Sequence, residues 1–388
     1  MLNFSNTEIA FRSKSNADLK KAYWLFKSLS VNSMVSIGKG LTNFALGFKL
    51  PVNWVVKPTI YSHFVGGESI EECLPVVEKL QQFNVKAILD YSVEGHSSGT
   101  SIQNTMDETL KAIGNAIRNS NIPFAVFKPT AFTRTEILEK VSSGSQLQSD
   151  EQREASNFRD RVNTLCNEAF KGGKPILIDA EDFAFQKFID EVIFEMMKKY
   201  NKDTAIVYNT FQMYRSDRLE FLKHSFNEAV DNRFVLGAKF VRGAYMDKER
   251  ERAQKMGYAS PIQPDKESTD RDYNEALKFC IENIGRVHVF NGTHNEFSCN
   301  YLTELMTQHN LAKNDYRVYT SQLYGMSDHI SFNMAIEGYN VAKYLPYGPV
   351  KHVLPYLIRR AEENTSVKGQ TGRELGLLLT EINRRKLS

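Results

Sequence analysis

Four cysteines are spread over 388 residues, and no two of them form a CxxC pair. A zinc ribbon and a redox dithiol are therefore not indicated. Cys73, Cys166, Cys280 and Cys299 read instead as buried thiols of a reducing compartment. No apolar run approaches the ~20 residues that a membrane-spanning helix needs. The first residues include Glu8 and Asp18 and no apolar core, so neither a signal peptide nor a transit peptide is expected. An excess of one charge is lacking as well. Lys and Arg number 49, Asp and Glu 46, and the net charge is +3. That balance argues against a nucleic-acid-binding protein. The eight histidines are scattered without an HxH or HxxxH pair, so no metal site is expected. No GxGxxG follows an apolar run, which removes the dinucleotide-binding fingerprint of open α/β sheets.

What remains is the mix of a soluble globular protein, with 41% apolar and 24% charged residues, 25 Phe and 17 Tyr against only two Trp. From residue 85 onward, short apolar runs alternate with longer amphipathic stretches. Eight strands are predicted: Val85–Leu89, Phe124–Phe127, Pro175–Ile178, Thr204–Tyr208, Val235–Val241, Arg286–Phe290, Tyr316–Thr320 and Asn340–Leu345. Between them, Ile70–Gln82, Phe183–Tyr200, Arg218–Val230 and Thr269–Asn283 carry apolar residues at helical spacing. This alternation predicts βαβ units and a distorted (β/α)8 barrel of the α/β class rather than an open sheet. Residues 1–70 read as an N-terminal helical arm and 71–388 as the barrel. The polar stretch 136–172 reads as a surface insertion with a helix over Glu154–Phe170.

Barrel enzymes place their chemistry at the C-terminal ends of the strands. The residues expected there are Asp90, Lys128, Asp179, Gln212, Arg242, Thr293-His294-Asn295, Gln322 and Tyr344, all polar or ionisable. Loops are polar in any case, but eight such ends in a barrel would converge on one mouth.

Three segments stand out. In Pro349–Glu363, Val350, Val353, Leu354, Leu357, Ile358 and Ala361 form an apolar stripe. Tyr356, Arg359, Arg360 and Glu363 fall on the other face, and Pro355 is expected to bend the helix. That face has two readings. It is a solvated surface with weak Arg–Glu pairs, or it is a fork of two guanidinium groups for a small carboxylate. In Lys239–Tyr245, an apolar strand gives way to Arg242, Gly243 and Ala244. Small residues there allow a flat ligand close to the backbone, or simply make a turn. His294, after Gly292 and Thr293, is a base, a ligand contact or a turn residue.

Taken together the motifs resemble the proline dehydrogenase family. The strings are LDYSVEG (Leu89–Gly95), FKPTAFT (Phe127–Thr133), IDAED (Ile178–Asp182), YNTFQMY (Tyr208–Tyr214) and GAKFVRGAYM (Gly237–Met246). THN (Thr293–Asn295), QLYGMSD (Gln322–Asp328) and PYGPVKHVLPYLIRRAEEN (Pro346–Asn364) complete them. The resemblance covers about three quarters of the chain and is closest to the mitochondrial type, given the insertion and GYASPIQP (Gly257–Pro264). It implies a barrel that binds FAD, hydride transfer from L-proline to the flavin to give Δ1-pyrroline-5-carboxylate, and a quinone as acceptor. It implies catalytic roles for Asp179 and Lys239. Lys128, Tyr245, Leu323, Tyr344, Tyr356, Arg359, Arg360 and Glu363 would bind substrate, the two arginines at its carboxylate. Ala180, Gln212, Lys239, Val241, Arg242, Gly243, Ala244, Thr293, His294 and Asn295 would bind FAD. Some bacterial members have arginine where this chain has Lys239; lysine matches the mitochondrial type. The implied location is the cytoplasm, with a peripheral contact at the inner membrane left open and no partner nucleic acid.

Two rivals are retained: hydroxyproline dehydrogenase, against which Tyr344 would crowd an added hydroxyl, and a non-catalytic barrel scaffold. A metal-dependent barrel hydrolase lacks ligand spacing.

Overall fold

The computed structural model describes residues 2–30, 56–92, 99–366 and 370–387; for residue 99 and for residues 362–366, 370 and 371 only the backbone is described. Val93–Gly95 of the first motif and the Glu363 side chain thus lie outside the described residues.

In chain order the elements that matter are α1 (Asn16–Leu29), α2 (Ile70–Gln81), β1 (Lys86–Tyr91), α3 (Gly99–Arg118), β2 (Ala125–Phe127), α4 (Thr135–Ser143), α5 (Ser149–Lys171) and β3 (Ile176–Ile178). There follow α6 (Phe183–Tyr200), β4 (Val207–Gln212), α7 (Arg218–Asp231), β5 (Leu236–Val241), α8 (Met246–Met256), α9 (Lys266–Glu282) and β6 (Val287–Gly292). The last are α10 (Glu296–Gln308), β7 (Val318–Leu323), α11 (Asp328–Ile336), β8 (Val341–Tyr347), α12 (Val350–Ser366) and α13 (Gln370–Arg384). All strand pairs are parallel, and the eight strands follow the order β1-β8-β7-β6-β5-β4-β3-β2. Strands separated by helices and ordered in this way make a (β/α)8 barrel fold.

All eight expected strands exist, but five end later than expected. The largest shift is at the fourth, expected at Thr204–Tyr208 and found at Val207–Gln212. The cause is polar residues that a single sequence reads as strand ends but that the sheet buries with partners. Asn209 donates to Asp190 at 2.9 Å, and Thr210 donates to the Ile178 carbonyl at 2.7 Å. Consequently Asp90, Gln212, Gln322 and Tyr344 sit inside their strands, while Lys128, Asp179, Arg242 and Thr293 come directly after theirs. The exit of the last strand is Tyr347, not Tyr344.

The chain divides into two compact units, Gly95–Ser321 and Leu2–Glu94 with Gln322–Ser388. In the first, β2 to β6 pair with their sequence neighbours and β6 pairs with β7. Its helices bury the predicted stripes: Phe188, Ile189, Val192, Ile193 and Met196 of α6 are all buried. The stretch after β2 folds as α4 and α5, and α5 buries Phe158, Val162, Leu165 and Cys166. In the second unit, β1 runs beside β8 from Lys86↔Ala342 to Tyr91↔Tyr347. Its core joins Leu19, Ala22 and Phe26 of α1 to Phe64, to Val353, Leu354 and Leu357 of α12, and to Leu377 and Leu378 of α13. All four cysteines are buried. Burial pushes the Cys73 and Cys299 thiols up to about 12, as expected for inert groups.

Candidate active site

In the first unit the ends of β2, β3 and β5 assemble three charges. Lys239 points inward from β5 and is buried. Its ammonium donates to Asp179 Oδ1 at 2.5 Å, and Lys128 Nζ lies 3.9 Å from the other oxygen of the same carboxylate. One carboxylate thus bridges two ammonium groups that are 111 positions apart in the chain, as 239 − 128 shows. Two residues on, Glu181 is buried (7% exposed) and accepts from the Thr130 hydroxyl at 2.6 Å and the Thr130 amide at 3.3 Å. Burial pushes its carboxyl up to about 7, against the pull of the Thr130 bonds and of Lys128. The loop that carries it is tied down: the Glu181 amide donates to Gln186, which donates to Asp190, and Asp190 is paired with Arg218 at 2.7 Å. Sequence reading passed over Glu181, although IDAED contains it.

Arg242, one residue beyond β5, is held on three sides. Its Nε donates to Asp270 Oδ1 of α9 at 2.8 Å, Nη1 to Thr293 Oγ1 at 2.6 Å, and Nη2 to Ser298 Oγ of α10 at 3.0 Å. The guanidinium also lies over the Tyr273 ring, 4.3 Å from its centre. Thr293 and Asn295 shape the start of α10. The Asn295 amide donates to Thr293 Oγ1, and the Asn295 side chain caps the helix by accepting from the Ser298 amide. Asp270, Tyr273 and Ser298 were not foreseen. Asp270, Tyr273 and Asn274 do lie at i, i+3 and i+4, a spacing that puts them on one helical face.

Gln212 ends β4 opposite Val241, and the next two amides, of Met213 and Tyr214, donate to Val241 and Arg242. Its side chain is buried, and its Oε1 meets no donor among the described residues. Gly243 takes φ +126°, and a Cβ there would come within 2.5 Å of the Tyr214 ring, so no other residue fits without strain. Gly243 and Ala244 are exposed, and Ala180, Val241, His294 and Tyr245 are half-buried.

In the second unit, β7 and β8 are tied by the Tyr324 amide donating to the Tyr344 carbonyl at 2.8 Å. Tyr344 is buried, and Leu323 packs partly against the core that contains Tyr356. On α12 the expected apolar stripe is buried, with Ile358 half-buried. The other face is not a solvated surface: Tyr356 is buried and Arg360 is 8% exposed, its guanidinium 5.1 Å from the Tyr356 ring centre. Arg359 is half-buried.

A family model described as Proline dehydrogenase matches residues 73–373. The chain belongs to the proline dehydrogenase family. Proline dehydrogenase 1, mitochondrial, of Dictyostelium discoideum is 32% identical over 98% of this chain and 74% of its own length. The carbapenem antibiotics biosynthesis protein CarD of Pectobacterium carotovorum subsp. carotovorum is 33% identical over 84% of each chain. Hydroxyproline dehydrogenase of Xenopus laevis is 30% identical over 99% of this chain and 90% of its own. Among solved structures, proline utilization A of Bdellovibrio bacteriovorus inactivated by N-propargylglycine superposes with a TM-score of 0.74 at 21% identity, over 93% of this chain. That comparison supports the (β/α)8 fold; this chain spans 38% of the length of that protein. As a member of the proline dehydrogenase family the chain is an oxidoreductase.

Proposed function

We propose that the chain is an FAD-dependent dehydrogenase that oxidises L-proline to Δ1-pyrroline-5-carboxylate and delivers the electrons to a quinone. The family supports proline oxidation. The observation that carries the flavin is Gln212, whose buried Oε1 lacks a donor among the described residues in the strand-end row it shares with Val241 and Arg242. An isoalloxazine ring offers an N–H to such an acceptor, and a buried acceptor without one is costly. Gly243 and Ala244, small and exposed just beyond β5, leave the backbone open to the approach of a flat group. The residues therefore fit FAD. Lys239, Arg242 and Thr293 are assigned to its polar edges, with Ala180, Val241, Ala244, His294 and Asn295 completing the contacts. FAD, when bound, supplies the acceptor for the hydride that leaves the ring carbon beside the proline nitrogen.

The chain's own residues bind and orient. Arg359 and Arg360 are assigned to the proline carboxylate, to which two guanidinium groups offer a fork of donors. Tyr245, Leu323, Tyr344 and Tyr356 are assigned to the ring, where they exclude water, and Glu363 to the arginine pair. Lys128 is assigned to the substrate as well. Asp179 acts by fixing the ammonium of Lys239, a cation that stabilises negative charge as it develops. The amine must be neutral before hydride loss. Hence kcat/KM is expected to rise with pH, and a flat profile from roughly pH 6 to 10 would count against this order of events.

Substrate choice is tested side by side. The buried Tyr344 favours proline over 4-hydroxyproline, although a pocket not built against a hydroxyl rejects it only weakly. A kcat/KM higher for hydroxyproline would transfer the assignment to that activity. The cytoplasm is the proposed location, with a peripheral contact at the inner membrane; among the described residues no helix is long and apolar enough to cross a membrane. The deciding experiment is anaerobic. L-Proline added to the yellow protein should bleach the flavin, and a quinone should restore the colour. A colourless protein that takes up no FAD would make the chain a scaffold.

A further inference from the structure

Arg242 has five N–H groups, and most are already committed. Nε donates to Asp270 Oδ1 at 2.8 Å, and Nη2 lies 2.7 Å from the same oxygen while donating to Ser298 at 3.0 Å. Nη1 donates to Thr293 at 2.6 Å. The face of the group is covered by Tyr273, whose hydroxyl is itself fixed by Asn291 at 2.7 Å. Ser298 in turn donates to Asn274 at 2.8 Å. Little but one N–H of Nη1 is left for an incoming group. Arg242 therefore serves as an aimed point charge, and the strength of that charge depends on its carboxylate partner.

That partner is shared. Asp270 Oδ2 also accepts from Lys266, whose side chain is 67% exposed. Burial would raise the Asp270 carboxyl, but the Lys266 bond and the Arg242 charge outweigh it and hold the group below its ordinary range. A chain of alternating charge, Lys266–Asp270–Arg242, thus runs from solvent to the ends of β5 and β6.

We propose that Asp270 is a positioning residue for the flavin: it aims Arg242 and sets how much of its positive charge the cofactor feels, with Lys266 tempering Asp270 from the solvent side. This rests on the reading that Arg242 meets FAD. Reduced flavin is the more negative form, so a stronger cation nearby favours it. Asp270→Asn keeps an oxygen for Nε and removes the negative charge. The ratio of reduced to oxidised flavin at a set potential should rise about tenfold, ~30 mV for a two-electron couple. Lys266→Met removes the tempering cation and should move the ratio the opposite way. Asp270→Ala loses the anchor as well, and its FAD dissociation constant should rise at least tenfold, with Asp270→Glu restoring part of it. A merely structural residue would not give shifts of opposite sign in the first two variants.

Potentials are read by spectroscopic titration and affinities by flavin retention, both without turnover. If the wild type takes up no FAD, the flavin reading falls and this inference with it. If the wild type is loaded but Asp270→Asn and Lys266→Met both keep its potential, the inference alone is overturned. Should the Asp270 variants fail to fold, the exposed Lys266→Met change decides: an unmoved or raised potential overturns the proposal.

Discussion

At the scale of the residue, burial decides which ionisable groups carry consequences. Glu181 is charged in the unfolded chain above about pH 4.5, whereas in the fold burial pushes it up to about 7. Between those values the folded state holds a proton that the unfolded state has lost. The contribution of Glu181 to stability is therefore greatest below the lower value, falls as pH rises, and levels off above the upper one. The whole change is roughly 3 kcal/mol at most. Glu181→Gln should remove it, so the difference between the wild-type and variant unfolding curves should slope from pH 4.5 to 7 and be flat beyond. Parallel curves would show that the carboxyl titrates normally. His63 acts in the other direction. Burial lowers it to about 3, with its Nε2 2.8 Å from the Gly325 carbonyl, so its contribution is lost as pH falls through the acid range.

At the scale of the element, α12 is the most informative piece. Its apolar stripe was readable from spacing, because Val350, Val353, Leu354 and Leu357 recur at helical intervals and all end up buried. The fate of its other face was not readable. Tyr356 and Arg360 look the same in a sequence whether water or protein covers them, and only packing made them buried. If they and Arg359 hold the substrate carboxylate, Arg359→Met and Arg360→Met should each raise KM by about 30- to 150-fold, the equivalent of roughly 2–3 kcal/mol for one charge-assisted pair. Flavin content should persist in both. A KM within twofold of wild type in both would remove the clamp. The strands teach a similar lesson. Their apolar starts were visible, but Asn209, Thr210 and Asn291 extend them because other segments supply a hydrogen-bond partner to each side chain.

At the scale of the whole molecule, charges far apart in the chain hold each unit together. In the second unit, Asp328 lies 3.1 Å from Lys14 and 2.8 Å from Lys343, and Lys343 also donates to the Met326 carbonyl at 2.6 Å. Burial would raise Asp328, yet the two lysines hold it well below the usual carboxylate range. Asp328→Asn would leave the buried ammonium of Lys343 and the half-buried one of Lys14 without the carboxylate they share and should cost about 3–5 kcal/mol. Chemical denaturation should show it as a lower midpoint at an unchanged slope; an unaltered midpoint would mean the triad is not structural. A bound cofactor acts on the same balance. With free FAD at about 100 times its dissociation constant, the folded state gains about 2.7 kcal/mol, and the melting temperature should rise by several degrees over the flavin-stripped protein. A melting temperature indifferent to saturating FAD would argue against a specific flavin site.

The sequence by itself determined the periodic features: eight apolar strand cores, the amphipathic helices between them, and a set of motifs specific enough to indicate the family. These are local or pattern properties, and hydrophobic spacing writes them directly into the chain. The tertiary structure decided what depends on proximity. It set how far each strand continues, put one carboxylate between Lys128 and Lys239, surrounded Arg242 with Asp270, Thr293, Ser298 and Tyr273, and buried Arg360. The physical reason is the same in each case: the energy of a polar group is fixed by its partners and its exclusion from water, and both come from residues that only folding brings near.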